Sequence, residues 1–117
     1  MIIERKEYYQ EMLRRNRLSP IYVGDRFAGL ITFCITKDEH KFDNLNPWDI
    51  IEDDSDGHIV YINQMITDKN SYNYKFSFRV LNGFIKNIKD NFPNVKYIFW
   101  RRWNKHKNVV RVYNKEI

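Results

Sequence analysis

Cysteine is almost missing from this chain of 117 residues, with Cys34 the only one. A single thiol excludes an internal disulfide and any multi-cysteine zinc site. It sits in the apolar run LITFCIT, which predicts a buried, inert thiol. Histidine is scarce as well. His40, His58 and His106 stand apart, with no H-x-H or H-x-x-x-H spacing, so no metal is expected. His106, between Lys105 and Lys107, reads as a solvated link residue. DDSDG lacks the spacing and the final Glu of a calcium loop. There is no G-x-S-x-G elbow and no GxxxxGK[ST] phosphate loop. No apolar run approaches the roughly 20 residues of a membrane span. The first ten residues, MIIERKEYYQ, carry early charges and no apolar h-region, which argues against a signal peptide. The expectation is a cytoplasmic protein with no membrane partner, in its own cell or in a host.

What is present is a globular composition. Apolar residues make up 43% and aromatics 16%, enough for one core in a single domain spanning 1–117. The net charge of +5 is unevenly spread. Residues 1–70 hold 9 Lys/Arg and 13 Asp/Glu, a net of −4; residues 71–117 hold 11 Lys/Arg with only Asp90 and Glu116, a net of +9. Such asymmetry suggests an anionic partner for the C-terminal part, or an acidic segment folded back over a basic face.

The periodicities predict α-β-β-(acidic loop)-β-α-β-β. IIERKEYYQEMLRRNRLS (2–19) reads as a helix with Ile3, Tyr8, Met12 and Leu13 on one face, Arg14, Arg15 and Arg17 at its C-terminal end, and Ser19-Pro20 as its stop. IYV and FAGLITFCIT form a hairpin around Gly24-Asp25-Arg26, and Gly29 suggests a bulge or a close backbone approach. Residues 38–57 form a long acidic loop, with a helical turn expected at PWDII. HIVYINQMIT (58–67) is a central strand buried on both sides. FSFRVLNGFIKNIKDNF (76–92) is a helix with Phe78, Leu81, Phe84, Ile85, Ile88 and Phe92 in its apolar stripe. Gly83 inside it costs about 1 kcal/mol against Ala, which close packing on a strand explains. VKYIFWRRW (95–103) and VVRVY (109–113) close the chain as a basic hairpin.

IYVGDRFAGLITFCIT, HIVYINQMITDKN, KFSFRVLNGFIKNIKDNF and VKYIFW together resemble the GNAT acyltransferases. The closing stretch NFPNVKYIFWRRWNKHKNVVRVYNK is similar to that of small GNAT-like proteins of phage. The resemblance implies an α/β fold: one domain with a mixed, mostly antiparallel sheet of about five strands flanked by helices. It implies acetyl-CoA or another acyl-CoA as cofactor, held by the main chain of Met65, Ile66 and Thr67 and by the loop and helix start. The family's pyrophosphate loop, Gln/Arg-x-x-Gly-x-Gly/Ala, falls on YNYKFS, where Lys75 and Ser77 replace the glycines and no glycine occurs in 70–82. Lys69, Lys75 and Arg79 would then supply charge in place of close backbone approach. Many members carry a Glu base on the central strand. Here that strand has no carboxylate, only His58, Asn63 and Gln64 as polar candidates. The family's acid, a Tyr on a later helix, has no counterpart helix, since NKHKN is too short and Tyr113 lies on a strand. The catalytic residues are therefore unassigned. Acyl transfer needs no dedicated base if a deprotonated amine is well positioned.

The segment FWRRW mixes aromatics with cations, as single-strand nucleic-acid surfaces do. Strand alternation divides it, putting Arg101 with Trp103 on one face and Trp100 with Arg102 on the other, so about half of its aromatics belong to the core. Arg101, Arg102, Lys105, Lys107 and Arg111 remain as an anion-binding set for an acidic protein surface or a nucleic acid. The strand near 109–113 could pair between chains as a homodimer. Two functions stay open: an N-acyltransferase moving an acyl group to an amine, and a catalytically inactive GNAT-like binding or structural protein.

Overall fold

A computed structural model describes residues 5–38, 54, 56–67, 74–104 and 109–117. The elements are α1 (Arg5–Arg14), β1 (Leu18–Val23), β2 (Arg26–Thr36), β3 (Ile59–Thr67), α2 (Tyr74–Asn91), β4 (Tyr97–Asn104) and β5 (Val109–Glu116). They build one five-stranded sheet in the order β1-β2-β3-β4-β5. β3 and β4 pair in parallel and the other neighbours are antiparallel. The mixed sheet with its two helices is the predicted α/β architecture. Among the described residues no helix is long and apolar enough to cross a membrane. The expected turn at PWDII lies outside the described residues.

The two faces of the sheet carry different cores. On one, Val80, Phe84, Ile85 and Ile88 of α2 meet Ile21, Ile31, Phe33, Ile35, Val60, Ile62 and Ile98. Burying each such side chain contributes roughly 1.5–3 kcal/mol, so this cluster supplies most of the fold's apolar stabilisation. On the other face, Tyr8 and Met12 of α1 close over Cys34 and Tyr61, with Leu18 and Phe99 at the margin. β3 thus contributes to both cores, as its continuous apolar run predicts. Cys34 is buried as expected. Val80, absent from the predicted stripe, is fully buried.

The first helix is shorter than the sequence suggests. It ends at Arg14, and Leu18, Ser19 and Pro20 belong to β1. Asn16 takes the left-handed conformation, φ 59°. Its N–H donates to the Leu13 carbonyl at 3.0 Å, and the Arg17 N–H donates to the Met12 carbonyl at 2.7 Å. These two bonds form a Schellman cap, which stops the helix before the proline is reached. Pro20 is tolerated because β1 is an edge strand and needs no inner N–H at every residue. The cap also redistributes the predicted apolar face. Leu13 turns to solvent at 64% exposure, while Arg17 is buried at 6%, its guanidinium 5.7 Å from the Phe33 ring centre and 5.3 Å from that of Phe92. Cation–π contact and bonds to the Arg15 and Asn16 carbonyls replace the water it loses.

Two glycines mark close approaches. A Cβ on Gly83 would stand 2.9 Å from Ile21 Cγ2, which confirms tight packing of α2 on β1. Asn87 Nδ2 donates to Ser19 Oγ at 3.2 Å along the same contact. A Cβ on Gly57 would stand 2.6 Å from the Thr36 carbonyl oxygen, so the chain re-enters the sheet there only without a side chain. Residues flanking the acidic segment are tied down alongside it: the Asp54 N–H donates to Ile35, and Lys37 pairs with Asp56 at 3.2 Å. In the hairpin Gly24 has φ +62°, the left-handed first turn position that a type II′ turn needs. The predicted bulge lies beside Gly29: Ile21 opposes Gly29 and Tyr22 opposes Phe27, which leaves Ala28 extra. β5 runs three residues further than VVRVY, and the Ile117 N–H bonds Lys96.

α1 is anchored by one buried polar contact, Tyr8 Oη to Thr32 Oγ1 at 2.8 Å. Burial pushes the Tyr8 phenol up to about 12. Replacing Tyr8 with Phe strands the Thr32 hydroxyl and should cost about 1–2 kcal/mol in urea unfolding. Adding Thr32→Val removes the stranded group and should recover most of that loss, whereas additive losses would contradict the pairing. On the exposed side of α1, hydrogen bonds from Arg14 and Arg15 hold the Glu11 carboxyl down to about 2. A depressed carboxyl stabilises above its unfolded value of 4.5 and loses that effect as pH falls towards about 2. Between those values Glu11→Gln should lose less stability than the parent on acidification, measured by thermal unfolding.

Candidate functional site

The site follows from a short pairing. β3 and β4 are matched only from Ile59↔Tyr97 to Ile62↔Trp100. The ladder starts firmly, with the Lys96 and Tyr97 N–H groups both donating to the His58 carbonyl at 2.7 and 3.2 Å. It then stops, although both strands continue. Beyond Ile62, β3 stays with β2, Gln64 opposite Thr32, Met65 opposite Ile31, Ile66 opposite Leu30 and Thr67 opposite Gly29. Beyond Trp100, β4 stays with β5, from Arg101↔Val112 to Asn104↔Val109. The sheet therefore opens into a wedge between residues 63–67 and 101–104. Backbone groups that would join two neighbouring strands face that gap instead.

A bulge sits at the apex. Thr32 opposes Gln64 and Phe33 opposes Ile62, so Asn63 is an extra residue of β3 with nothing opposite it on β2. A bulge bends its strand and increases local twist. It falls at the residue where the β3–β4 ladder ends, so the bend and the opening share one position. Cross-strand pairs share a face; Gln64 therefore stands on the face of Thr32, which α1 covers through Tyr8. Both polar atoms of the Asn63 side chain are buried, and neither has a hydrogen-bond partner among the described residues.

The predicted cofactor residues are divided between β3 and α2. Met65 and Ile66 lie on the open half of β3 and are exposed, at 43% and 42%, unusual for large apolar side chains on a central strand. Thr67 is the last residue of that strand. Lys75, Ser77 and Arg79 lie in the first two turns of α2, with Arg79 exposed. Lys69 is outside the described residues. Of the anion set, Arg101 and Arg102 lie on the β4 side of the wedge and Arg111 is opposite Arg102 on β5. Their side chains, like Lys105 and Lys107, are outside what is described. The fold thus brings Met65, Ile66 and Thr67 of β3 and Arg101 and Arg102 of β4 to the two sides of one opening. His58 is exposed just ahead of β3, five positions before the bulge, so only Asn63 and Gln64 of the three polar candidates border the wedge. Among the described residues no cluster of His, Cys, Asp and Glu could hold a metal.

Comparison with solved structures gives the architecture its name. The GphF GNAT-like decarboxylase, solved with isobutyryl-CoA, superposes over 92% of this chain with a TM-score of 0.62 at 12% identity. The loading GNATL domain of CurA from Lyngbya majuscula superposes over 91% with a TM-score of 0.62 at 14% identity. The fold is GNAT-like. The chain spans little more than half of those two, 56% and 54% of their lengths. No protein-family model matches the sequence, and no curated protein matches it.

The open ladder has a measurable consequence. Amide hydrogens of Ile59–Ile62, flanked by strands on both sides, should exchange more slowly on average than those of residues 63–67. Equal protection across β3 in hydrogen–deuterium exchange would show that the wedge is closed in solution.

Proposed function

We propose that the wedge binds an acyl-CoA and that the protein transfers the acyl group to an amine. The observation that carries this reading is the parting of β3 from β4 at Ile62 and Trp100, just ahead of α2. An extended ligand arm can bond the free edge of β3 as an added strand would. Exposed Met65 and Ile66 offer apolar surface beside it. The N-terminal turn of α2 attracts an anion such as a pyrophosphate, and Lys75 and Arg79 add positive charge close by. A GNAT-like neighbour, the decarboxylase, is solved with an acyl-CoA, which supports the ligand class.

In the transfer, the neutral amine attacks the thioester carbonyl carbon. The new C–N bond forms, the C–S bond breaks, and the sulfur leaves as thiolate while the amine proton passes to solvent. β3 has no carboxylate to take that proton. The protein's contribution is then positioning, worth several orders of magnitude in rate when geometry is good. The amine must arrive deprotonated.

A second reading is favoured by specific features of the sequence. YNYKFS lacks the glycines of a pyrophosphate loop, and residues 71–117 carry +9. A GNAT-like domain without chemistry could instead hold an acidic protein surface or a nucleic acid through Arg101, Arg102, Lys105, Lys107 and Arg111.

Acetyl-CoA at about a hundredfold over its Kd stabilises a folded protein by about 2.7 kcal/mol. The parent should therefore gain several degrees in Tm, and Lys75→Glu with Arg79→Glu should lose most of that gain. No shift at millimolar acetyl-CoA or isobutyryl-CoA sinks the reading. With an amine acceptor, turnover should fall about tenfold per pH unit below the amine's own pKa. The binder reading predicts instead no turnover, and an affinity for oligonucleotide or acidic peptide that declines steeply with salt.

A further inference from the structure

The two edges of the sheet are built differently. β1 has Pro20 inside it and a register shift against β2 between Ile21 and Tyr22. Prolines and bulges keep an edge from pairing with another chain. β5, the opposite edge, has neither proline nor glycine over Val109–Glu116, and its register with β4 runs without a shift. Among the described residues nothing pairs with its outer side. One bond fixes the direction of its main-chain groups. The Ile117 N–H donates to the Lys96 carbonyl at 2.9 Å, so residue 117 turns towards the β4 side. Alternation then directs the N–H and C=O groups of 109, 111, 113 and 115 inward, and those of Val110, Val112, Asn114 and Glu116 outward. The β4–β5 hairpin is also lightly supported. Both helices lie chiefly over β1 and β2, and the hairpin meets β3 only from Ile59↔Tyr97 to Ile62↔Trp100. A two-stranded ribbon is marginal by itself.

We propose that β5 pairs antiparallel with β5 of a second copy of this chain, joining the two sheets into one. A two-fold axis sets the same outward groups against each other, so a copy of this edge is its own complement. Outward residues bond only outward residues, which restricts the register. Two registers cover most of β5, one centred on Val112 and one on Tyr113. Centring on Tyr113 sets Arg111 opposite Lys115 of the second copy on both sides of the axis, and like charges directly opposite destabilise. Centring on Val112 sets Val112 opposite Val112, Val110 opposite Asn114, Arg111 opposite Tyr113 and Val109 opposite Lys115, with no facing pair of cations. The Val112 register is the one that forms. The second copy then braces the hairpin whose β4 carries one side of the wedge. This interface stands independently of the acyl-CoA reading.

Sedimentation of the parent from micromolar to millimolar concentration should show a monomer–dimer equilibrium. A monomer throughout, whatever else covers the edge, overturns the proposal. Val112→Pro removes one outward N–H and no bond to β4, a change that an edge strand tolerates. It should keep the parent's far-UV spectrum and weaken association about tenfold or more. Undiminished association of a folded Val112→Pro means that the copies meet elsewhere and refutes the β5 pairing. Hydrogen–deuterium exchange tests the parent without any substitution. The amides of Val110, Val112 and Asn114 should be protected in concentrated protein and unprotected in dilute protein, while those of 111, 113 and 115 are protected in both. Outward amides that exchange alike at every concentration also refute it. For the register, directly facing residues stand about 5.5 Å apart between Cα atoms, within reach of a disulfide. On oxidation Val112→Cys should cross-link to its counterpart and Val110→Cys should not; Cys34 is buried. Cross-linking of Val110→Cys as readily as Val112→Cys rules out the register.

Discussion

The four-residue parallel ladder from Ile59↔Tyr97 to Ile62↔Trp100 is the constraint on which the molecule depends. Among the described residues it is the only strand contact joining the β1–β3 half of the sheet to the β4–β5 half. It is also short: a ladder running on to Thr67 would close the wedge. Two features hold this length. At one end the His58 carbonyl accepts from both Lys96 and Tyr97 and starts the register. At the other the Asn63 bulge turns β3 away. Val60, Ile62 and Ile98, packed under α2, weld the paired portion into the main core. The β3–α2–β4 crossover makes the parallel ladder possible, since parallel neighbours need a long connection that a hairpin cannot supply.

The two helices serve unequal purposes. α2 carries the larger apolar cluster and comes so close to β1 that position 83 admits no Cβ without moving Ile21. α1 brings a smaller patch, and its docking depends more on one polar contact, Tyr8 with Thr32. That contact occupies the only hydroxyl opposite Gln64, on the strand next to the bulge. Two other buried polar side chains are matched: Arg17 has carbonyls and two rings, and Thr36 Oγ1 accepts from the Asp38 N–H.

Much of the architecture was legible in the sequence, for identifiable reasons. HIVYINQMIT has no polar alternation before Asn63, which is what a strand buried on both faces requires. The α2 stripe has helical spacing over about four turns, and its anomalous Gly83 points correctly to a close strand. The end of α1 was misread because Pro20 is a visible breaker, whereas a Schellman cap at Asn16 is set by one residue's backbone conformation. Arg17, read as part of the helix end, is instead buried beyond the cap, and Leu13, in the last turn, faces solvent. Val80 escaped notice because it flanks the stripe rather than lying on its axis. The wedge itself could not be read. Nothing in VKYIFWRRW says where pairing with β3 stops, because that is decided by an extra residue on another strand. Met65 to Thr67 on one side, and Arg101 and Arg102 on the other, were found through resemblance and charge, and their meeting at one opening is a property of register alone.

The chemistry that this geometry permits is limited by what β3 carries. A strand offering Asn and Gln at the wedge, and no carboxylate, can bond a carbonyl and orient an amine but cannot remove its proton. Electrostatic work must then come from fixed donors and cations rather than from a titrating base. The net of +9 falls in residues 71–117, the part of the chain that contains α2, β4 and β5.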